Sequence, residues 1–466
     1  MGQTYNTIKK IALVQTTRLG TSRPDVGLAI CTLKTFLETH SDSDYEILTC
    51  DSNEFLNDYT ETKFDLVALS SVSNQYGVAK NIVKIVKEKF PDTVTIIGGA
   101  HITALPSSLD QNFDFGVVGE GEFSFLEFVE SVNSGKDNEQ IGQIPGVFGR
   151  RNGRIVMGQP RSLMEDLDVI PAPDLGYFNR NRSIPAIFSA RGCPYKCDFC
   201  TNYQTWTREV RRPTPGKLIS DIRHIADSLD DVRVIVFRDD IAFVNVNYLK
   251  DCISYAQNND PEILKIPKVG YAQVSTMNKM MVKSLQEFGF TKVAIGFESG
   301  SEKIIQVLKA GSATVAKNQK SIDLCHDAGL GISGNFIIGV PEEEEIDLVQ
   351  TYEFILKNIR SGKLGFGSTS ILTPFPGTRY WDLFRAKEDF TVDNFEWTRL
   401  DEPGFMTYYE DTKGKGTVRE WWKVREDAGY SYLGGINVDS FIDIMQEFEP
   451  QIIEETAAFR AADRHY

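Results

Sequence analysis

The sequence predicts an α/β protein: a doubly wound amino-terminal domain, then a partial six-fold βα barrel, then a mostly helical carboxy-terminal segment. Two series of short apolar runs alternating with amphipathic helical patterns carry this prediction, and a hairpin signal with a proline pair separates them. Length agrees, because 466 residues exceed what one ordinary core organises.

In the first series, strand-like runs lie at 11–14, 45–48, 66–70, 94–97 and 115–118, with helical patterns near 28–38, 78–90 and 125–132. Short apolar runs separated by helices fold as an open, mostly parallel sheet that binds ligands at the carboxyl ends of its strands. The glycine-rich turns fall there: Gly98-Gly99 after the fourth run and Gly119-Glu120-Gly121-Glu122 after the fifth. Next, 147–149 and 154–156 flank Arg151-Asn152-Gly153, and an Asn-Gly pair between apolar runs is a hairpin signal. Pro171 and Pro173 mark a linker.

The second series has strand-like runs at 184–189, 232–237, 268–275, 291–297, 332–338 and 367–372. Between them Leu218, Ile222, Ile225 and Leu229 repeat at helical spacing, and the pattern at 280–288 is closed by Gly289 as a C-cap. Six βα units make a partial barrel, smaller than the eight-fold version. The tail carries Trp397, Tyr408, Trp421 and Trp422, read as core ahead of substrate contacts. The expected units are 1–140, 141–180 (hairpin and linker), 181–386 and 387–466.

Composition narrows the function. A hydrophobic fraction of 41% supports real cores, and a net charge of −15 argues against nucleic-acid or anionic-membrane partners. No apolar run approaches the ~20 residues of a spanning helix, and the start has no signal-peptide pattern. Of seven cysteines, Cys31, Cys50, Cys252 and Cys325 sit in apolar-patterned segments and read as buried thiols. A reducing, cytoplasmic setting without disulfides is expected.

The other three cysteines are concentrated. Arg191-Gly192-Cys193-Pro194-Tyr195-Lys196-Cys197-Asp198-Phe199-Cys200 places three thiols on one loop directly after a strand. Three such thiolates can hold three irons of a [4Fe–4S] cube and leave the fourth open to a small molecule. Zinc would require a fourth Cys or His, and His224, the next candidate, falls within the helical pattern around Ile222.

The Cys-x3-Cys-x2-Cys spacing at the end of the first strand of a six-fold repeat resembles the radical S-adenosylmethionine superfamily, over about residues 184–385. That resemblance makes Cys193, Cys197 and Cys200 the cluster ligands and catalytic centre, and implies S-adenosylmethionine as co-substrate. Phe199 matches the aromatic that stacks near the adenine. Asp239 and Asp240, ending the second strand, match acidic residues that meet the methionine amine. Glu298 and Ser299, in Gly296-Phe297-Glu298-Ser299-Gly300, match a motif touching the ribose or methionine end. Asn335 and Ile337 fall in a fifth-strand motif whose backbone meets adenine, with Asn335 replacing the usual glycine. Pro374-Phe375-Pro376-Gly377-Thr378 resembles a closing motif.

Residues 8–132 resemble the Rossmann-like cobalamin-binding domain of the cobalamin-dependent branch. Where other cobalamin proteins have Asp-x-His-x-x-Gly, this chain has Gln15-Thr16-Thr17-Arg18-Leu19-Gly20, so the histidine that ligates cobalt from below is absent. The resemblance implies cobalamin contacts from Thr16, Thr17, Arg18, Ser70, Ser71, Gly98, Gly99, His101, Gly119, Glu120 and Gly121. A domain that has lost its cofactor, or holds another nucleotide, is the alternative, and His101 stays open between tail contact and satisfied loop histidine.

Together the two resemblances imply a methyltransferase acting on an unactivated carbon through a deoxyadenosyl radical and methylcobalamin. The alternatives are a non-methylating radical reaction of the same architecture (ring formation, ring contraction, rearrangement or other group transfer) and, less favoured, a non-catalytic cobalamin sensor. A small-molecule or peptide substrate and an external electron donor such as flavodoxin or ferredoxin are implied partners.

Overall fold

A computed structural model of the chain describes residues 4–19, 27–151, 153–181, 184–229, 232–388, 390–400, 404–430 and 432–462. Gly20 of the first loop and Asn152 of the hairpin lie outside the described residues.

The first sheet contains β1 (Lys10–Gln15), β2 (Glu46–Asp51), β3 (Leu66–Ser70), β4 (Val94–Gly98) and β5 (Phe115–Val117), extended by β6 (Val147–Arg151) and β7 (Arg154–Met157). Its order is β2-β1-β3-β4-β5-β6-β7, parallel from β2 to β5 and antiparallel through β6 and β7. Alternation along β1 shows why helices must cover both faces. Ile11 and Leu13 pack with helices Leu28–His40 and Glu122–Asn133. Ala12 and Val14 point the other way, into a cluster with Tyr76, Ala79, Ile82 and Val83 of helix Tyr76–Lys89. A strand buried on both faces reads as a continuous apolar run, as this one does. The Asn-Gly hairpin forms, with Gly153 at φ 77°, but it serves as the sheet's antiparallel edge.

The second sheet contains β8 (Ala186–Ile187), β9 (Ile235–Phe237), β10 (Lys268–Ala272), β11 (Phe290–Glu298), β12 (Gly331–Ile338) and β13 (Phe366–Ile371). They lie in sequential order, all parallel, with β8 and β13 as open ends, as a partial six-fold barrel requires. β8 is far shorter than the apolar run at 184–189. Beyond Ile187 the Ser189 and Ala190 N–H groups donate to the Asp239 carboxylate instead of a neighbouring strand, and the ladder stops.

The tail is helical, with Phe405–Asp411, Val418–Asp427 and Val438–Ala462, and the last lies along helix Glu345–Arg360. Trp397, Trp421 and Trp422 are buried. Trp397 packs against Tyr76 and His101 of the amino-terminal domain, so the stretch before these helices reaches back across the molecule.

Candidate active site

The cysteine loop is closed at its neck. Arg191 and Arg211 exchange backbone hydrogen bonds of 2.9 Å, and all three thiols lie between them. Gly192 turns with φ 99°, and a Cβ there would lie 1.9 Å from the Glu209 carbonyl oxygen, so no side chain fits. The Asp198 N–H donates to the Leu308 carbonyl at 3.2 Å, tying the loop to helix Glu302–Lys309. Cys193, Cys197 and Cys200 are free and half-buried. Burial pushes the Cys197 and Cys200 thiols up to about 11, opposed by Asn202's backbone at Cys200 and by the Lys309 charge at both. Thiols held this way lose their protons when a metal replaces them. Among the described residues, no three His, Cys, Asp or Glu side chains converge as a single-ion site. A [4Fe–4S] cube asks for a different spacing, since each thiolate bonds its own iron.

The two aspartates after β9 face different ways. Asp239 is buried as a pin behind the loop: Oδ1 accepts from the N–H of Ser189 and Ala190 at 2.6 and 2.7 Å, and the Ser189 hydroxyl donates to Oδ2 at 2.7 Å. Both of its oxygens are taken by these groups, so the structure ties Asp239 to the strand end where the sequence suggested an open acceptor for a ligand amine. Asp240 accepts from Asn202 Nδ2 at 2.6 Å, and its buried Oδ2 has no hydrogen-bond partner. Its charge is felt by Cys193 and Cys200, and burial pushes its carboxyl up to about 6.

At the end of β11 a register shift between Gly296 and Glu298 puts Glu298 at φ 63°. Its carboxylate folds back so closely that a Cβ on Gly296 would lie 2.2 Å from Oε1, which explains the Gly-x-Glu spacing. Glu298 pairs with Lys309 at 2.7 Å, both buried. Lys309 Nζ also stands 5.9 Å from the Phe199 ring centre. Burial would lower the Lys309 ammonium, but Glu298 and the Cys197 thiolate outweigh it and raise it. Sequence reasoning missed Lys309; its signal is a lysine closing the buried Ile304-Ile305-Leu308 face of a helix. Ser299 is corrected as well: fully buried, it bonds Thr351 at 2.9 Å and accepts from the Ser301 N–H, shaping the turn. Ile337 and Phe199 both pack against a small buried cluster that includes Leu308, Val340, Leu372 and Tyr380. Asn335 lies half-buried on β12, in register with Gly296.

A cavity of about 320 Å³ separates the carboxyl ends of the first sheet from this loop. Ser70, Gly98, Gly99, Gly119, Glu120 and Gly121 line it, facing Phe188, Arg191, Asn202, Thr205 and Trp206. Gly99, at φ 98°, has no room for a Cβ, which would lie 2.6 Å from the Ser71 carbonyl oxygen; a Cβ on Gly119 would meet nothing within 4 Å. Thr16, Thr17, Arg18, Ser71 and His101 are not among the lining residues. The Thr16 and Ser71 hydroxyls bond each other at 3.0 Å. Thr17, at the position of the missing histidine, accepts from Asn53 and bonds Ser52, so it points no donor atom into the cavity. Arg18 is half-buried. Glu120 lines the cavity, but its carboxylate is taken by Arg191, Arg211 and the Met164 N–H. Burial works against ionisation there, and the Arg211 hydrogen bond and Arg191 charge overcome it, holding Glu120 below the usual carboxylate range.

His101 is a packed core histidine. Its two ring nitrogens lie 3.0 and 2.9 Å from the Ser73 and Ser108 hydroxyls, and Tyr76 stacks on it with ring centres 4.0 Å apart. Burial pushes the imidazole down to about 3. An unfolded chain's histidine titrates near 6.5, so between those values the unfolded state binds a proton that the folded state refuses. Stability therefore falls as pH drops from about 6.5 towards 3, by up to about 1.4 kcal/mol per unit. Urea unfolding between about pH 7 and pH 5 should show that slope, and His101→Gln should flatten it.

Comparison with known proteins fits this geometry. Residues 17–129 match the B12 binding domain family and residues 187–355 the Radical SAM superfamily. The uncharacterized methyltransferase PH0819 of Pyrococcus horikoshii is 27% identical over 72% of this chain and 73% of its own length. The anaerobic magnesium-protoporphyrin IX monomethyl ester cyclase of Rubrivivax gelatinosus is 25% identical over 73% of this chain and 61% of its own. Among solved structures, the radical S-adenosylmethionine methyltransferase TsrM from Kitasatospora setae superimposes with a TM-score of 0.68, at 17% identity, over 82% of this chain and 78% of that one. A B12 binding domain thus precedes a radical SAM domain in a single chain. The protein belongs to the cobalamin-dependent radical SAM enzymes.

That family uses a [4Fe–4S] cluster, S-adenosylmethionine and cobalamin. The residues present fit all three. Three free thiols on one closed loop suit three irons, the partnerless Asp240 oxygen awaits a donor, and the bare glycine at 119 leaves the cavity wall open to a bulky ring.

Proposed function

We propose that this enzyme is a radical methyltransferase acting on an unactivated carbon of a small molecule or peptide. The observation that carries the reading is a shared wall: Asn202, Thr205 and Trp206, directly after Cys200, line the cavity at the ends of the first sheet. When bound, the cluster supplies the electron that opens S-adenosylmethionine to a deoxyadenosyl radical, and cobalamin supplies a metal able to carry a methyl group.

The chain's own residues do the rest. Cys193, Cys197 and Cys200 hold the irons, with Asp239 and Arg191 fixing their loop from behind. Asp240 is placed to accept from the methionine amine, and Phe199 with Ile337 to flank the adenine. Glu298 and Lys309 form a balanced charge pair for the polar end of the same ligand. Ser70, Gly98, Gly99, Gly119 and Gly121 let the cobalamin approach backbone, while Leu13, Ile30, Leu69 and Trp206 exclude water. We place the division of the chain at 1–140, 141–180, 181–386 and 387–466.

An external one-electron donor of the flavodoxin or ferredoxin type and a cytoplasmic setting belong to this reading, supported by the free thiols of Cys193, Cys197, Cys200, Cys252 and Cys325. Among the described residues no helix is long and apolar enough to cross a membrane. A non-methylating radical reaction is the second reading, favoured by similarity to the cyclase. The test is an anaerobic incubation of reconstituted protein with hydroxocobalamin, S-adenosylmethionine and a strong reductant, read by mass spectrometry. 5′-Deoxyadenosine with S-adenosylhomocysteine supports methyl transfer. Deoxyadenosine alone, from protein with bound cobalamin, supports the second reading.

A further inference from the structure

The neck of the cysteine loop and the turn at 119–122 meet in a buried cluster of four charges. Arg191 Nη1 donates to Glu120 Oε1 at 2.8 Å, and its other terminal nitrogen reaches Glu122. Arg211 Nη1 lies 3.0 Å from both Glu120 oxygens and 2.5 Å from the Met164 carbonyl, whose own N–H donates back to Glu120 at 2.7 Å. The four side chains are 5–8% exposed, and two cations balance two anions. One carboxylate therefore holds both ends of the loop that carries the three cysteines. Arg191 also lies over the Trp206 ring, 4.9 Å from its centre, and both residues line the cavity together with Gly119, Glu120, Gly121 and Glu122.

We propose that Glu120 is a positioning residue that couples the two cofactor sites, so that cobalamin in the cavity steadies the cluster loop and the cluster steadies the cavity. A ligand filling this cavity presses on the 119–121 turn from one side and on Arg191 and Trp206 from the other. Both walls converge on the same carboxylate. Ordering one wall then orders the other, and linkage makes the effect reciprocal. A buried ion cluster that merely joined two domains would stabilise the chain without making one site sense the other. This inference rests on the cobalamin reading above.

The test follows the cluster itself. Reconstituted protein is exposed to an iron chelator, and loss of cluster absorbance is timed with and without bound hydroxocobalamin. In the wild type, cobalamin should slow the loss about tenfold, within the range of site-to-site couplings. In Glu120→Gln the two rates should fall within about twofold of each other, while cobalamin still binds and the cluster still assembles. Glu122→Gln, which keeps every contact to Glu120, should retain most of the protection. A wild-type rate indifferent to bound cobalamin overturns the inference, and so does full protection in Glu120→Gln. Should Glu120→Gln not fold, Glu120→Asp, which keeps the charge but shortens its reach to Arg191 and Arg211, takes its place and should lose most of the protection; full protection there overturns the inference. Failure of wild-type protein to bind hydroxocobalamin at all, by titration of its absorbance, would count against the cobalamin reading instead.

Discussion

Cys197→Ala should leave the fold intact and remove the chemistry. Each thiolate bonds one iron of a cube, so the variant lacks a full ligand set and cannot hold a stable four-iron cluster. 5′-Deoxyadenosine formation should fall by more than about a hundredfold, since a lost ligand must cost more than the 10–100-fold typical of its supporting shell. Cys252→Ala is the informative partner. Cys252 is buried on helix Val246–Asn259, packed among Leu249, Ile253 and Ala256. Its loss should cost about 1 kcal/mol of stability and leave iron content and deoxyadenosine formation unchanged. Equal losses in both variants would show that folding, not ligation, had failed.

Asp239→Ala should be the most damaging substitution at a residue that touches no ligand. It leaves the buried Ser189 and Ala190 N–H groups without their acceptor, while the Ser189 hydroxyl falls back on the Ala242 carbonyl at 3.0 Å. Each unsatisfied group costs about 1–3 kcal/mol, so a loss of at least about 2 kcal/mol is expected in chemical denaturation. Cluster content should fall with it, because those groups begin the cysteine loop. Asp239→Asn keeps acceptor capacity on one oxygen and should recover part of both. Asp240→Asn separates the roles: its fold and iron content should persist while S-adenosylmethionine binding weakens. If Asp239 met the methionine amine instead, Asp239→Ala would keep its cluster and lose only that binding.

These two aspartates show where sequence legibility ends. The alternation of strands and helices, the cysteine spacing and the glycine turns are local patterns, and they place both sheets and the loop between them. Two adjacent carboxylates at a strand end cannot be told apart that way, because which one turns inward depends on Ser189, fifty residues earlier. His101 is decided by Trp397, which arrives from the far end of the chain to cover it. Glu120 reads as a turn residue until Arg191 and Arg211 converge on it from another domain. Lys309 carries no motif of its own and matters because helix Glu302–Lys309 brings it against Glu298. The hairpin's Asn-Gly signal predicts its shape, but not that β6 would pair with β5 and lengthen the first sheet.

The most direct test of the central claim is electron paramagnetic resonance of the anaerobically reconstituted, reduced protein, read with its iron content. The account predicts about four irons per chain and a reduced-cluster signal that changes on adding S-adenosylmethionine, because one iron lacks a protein ligand. A signal indifferent to S-adenosylmethionine, or zinc in place of iron, would contradict it.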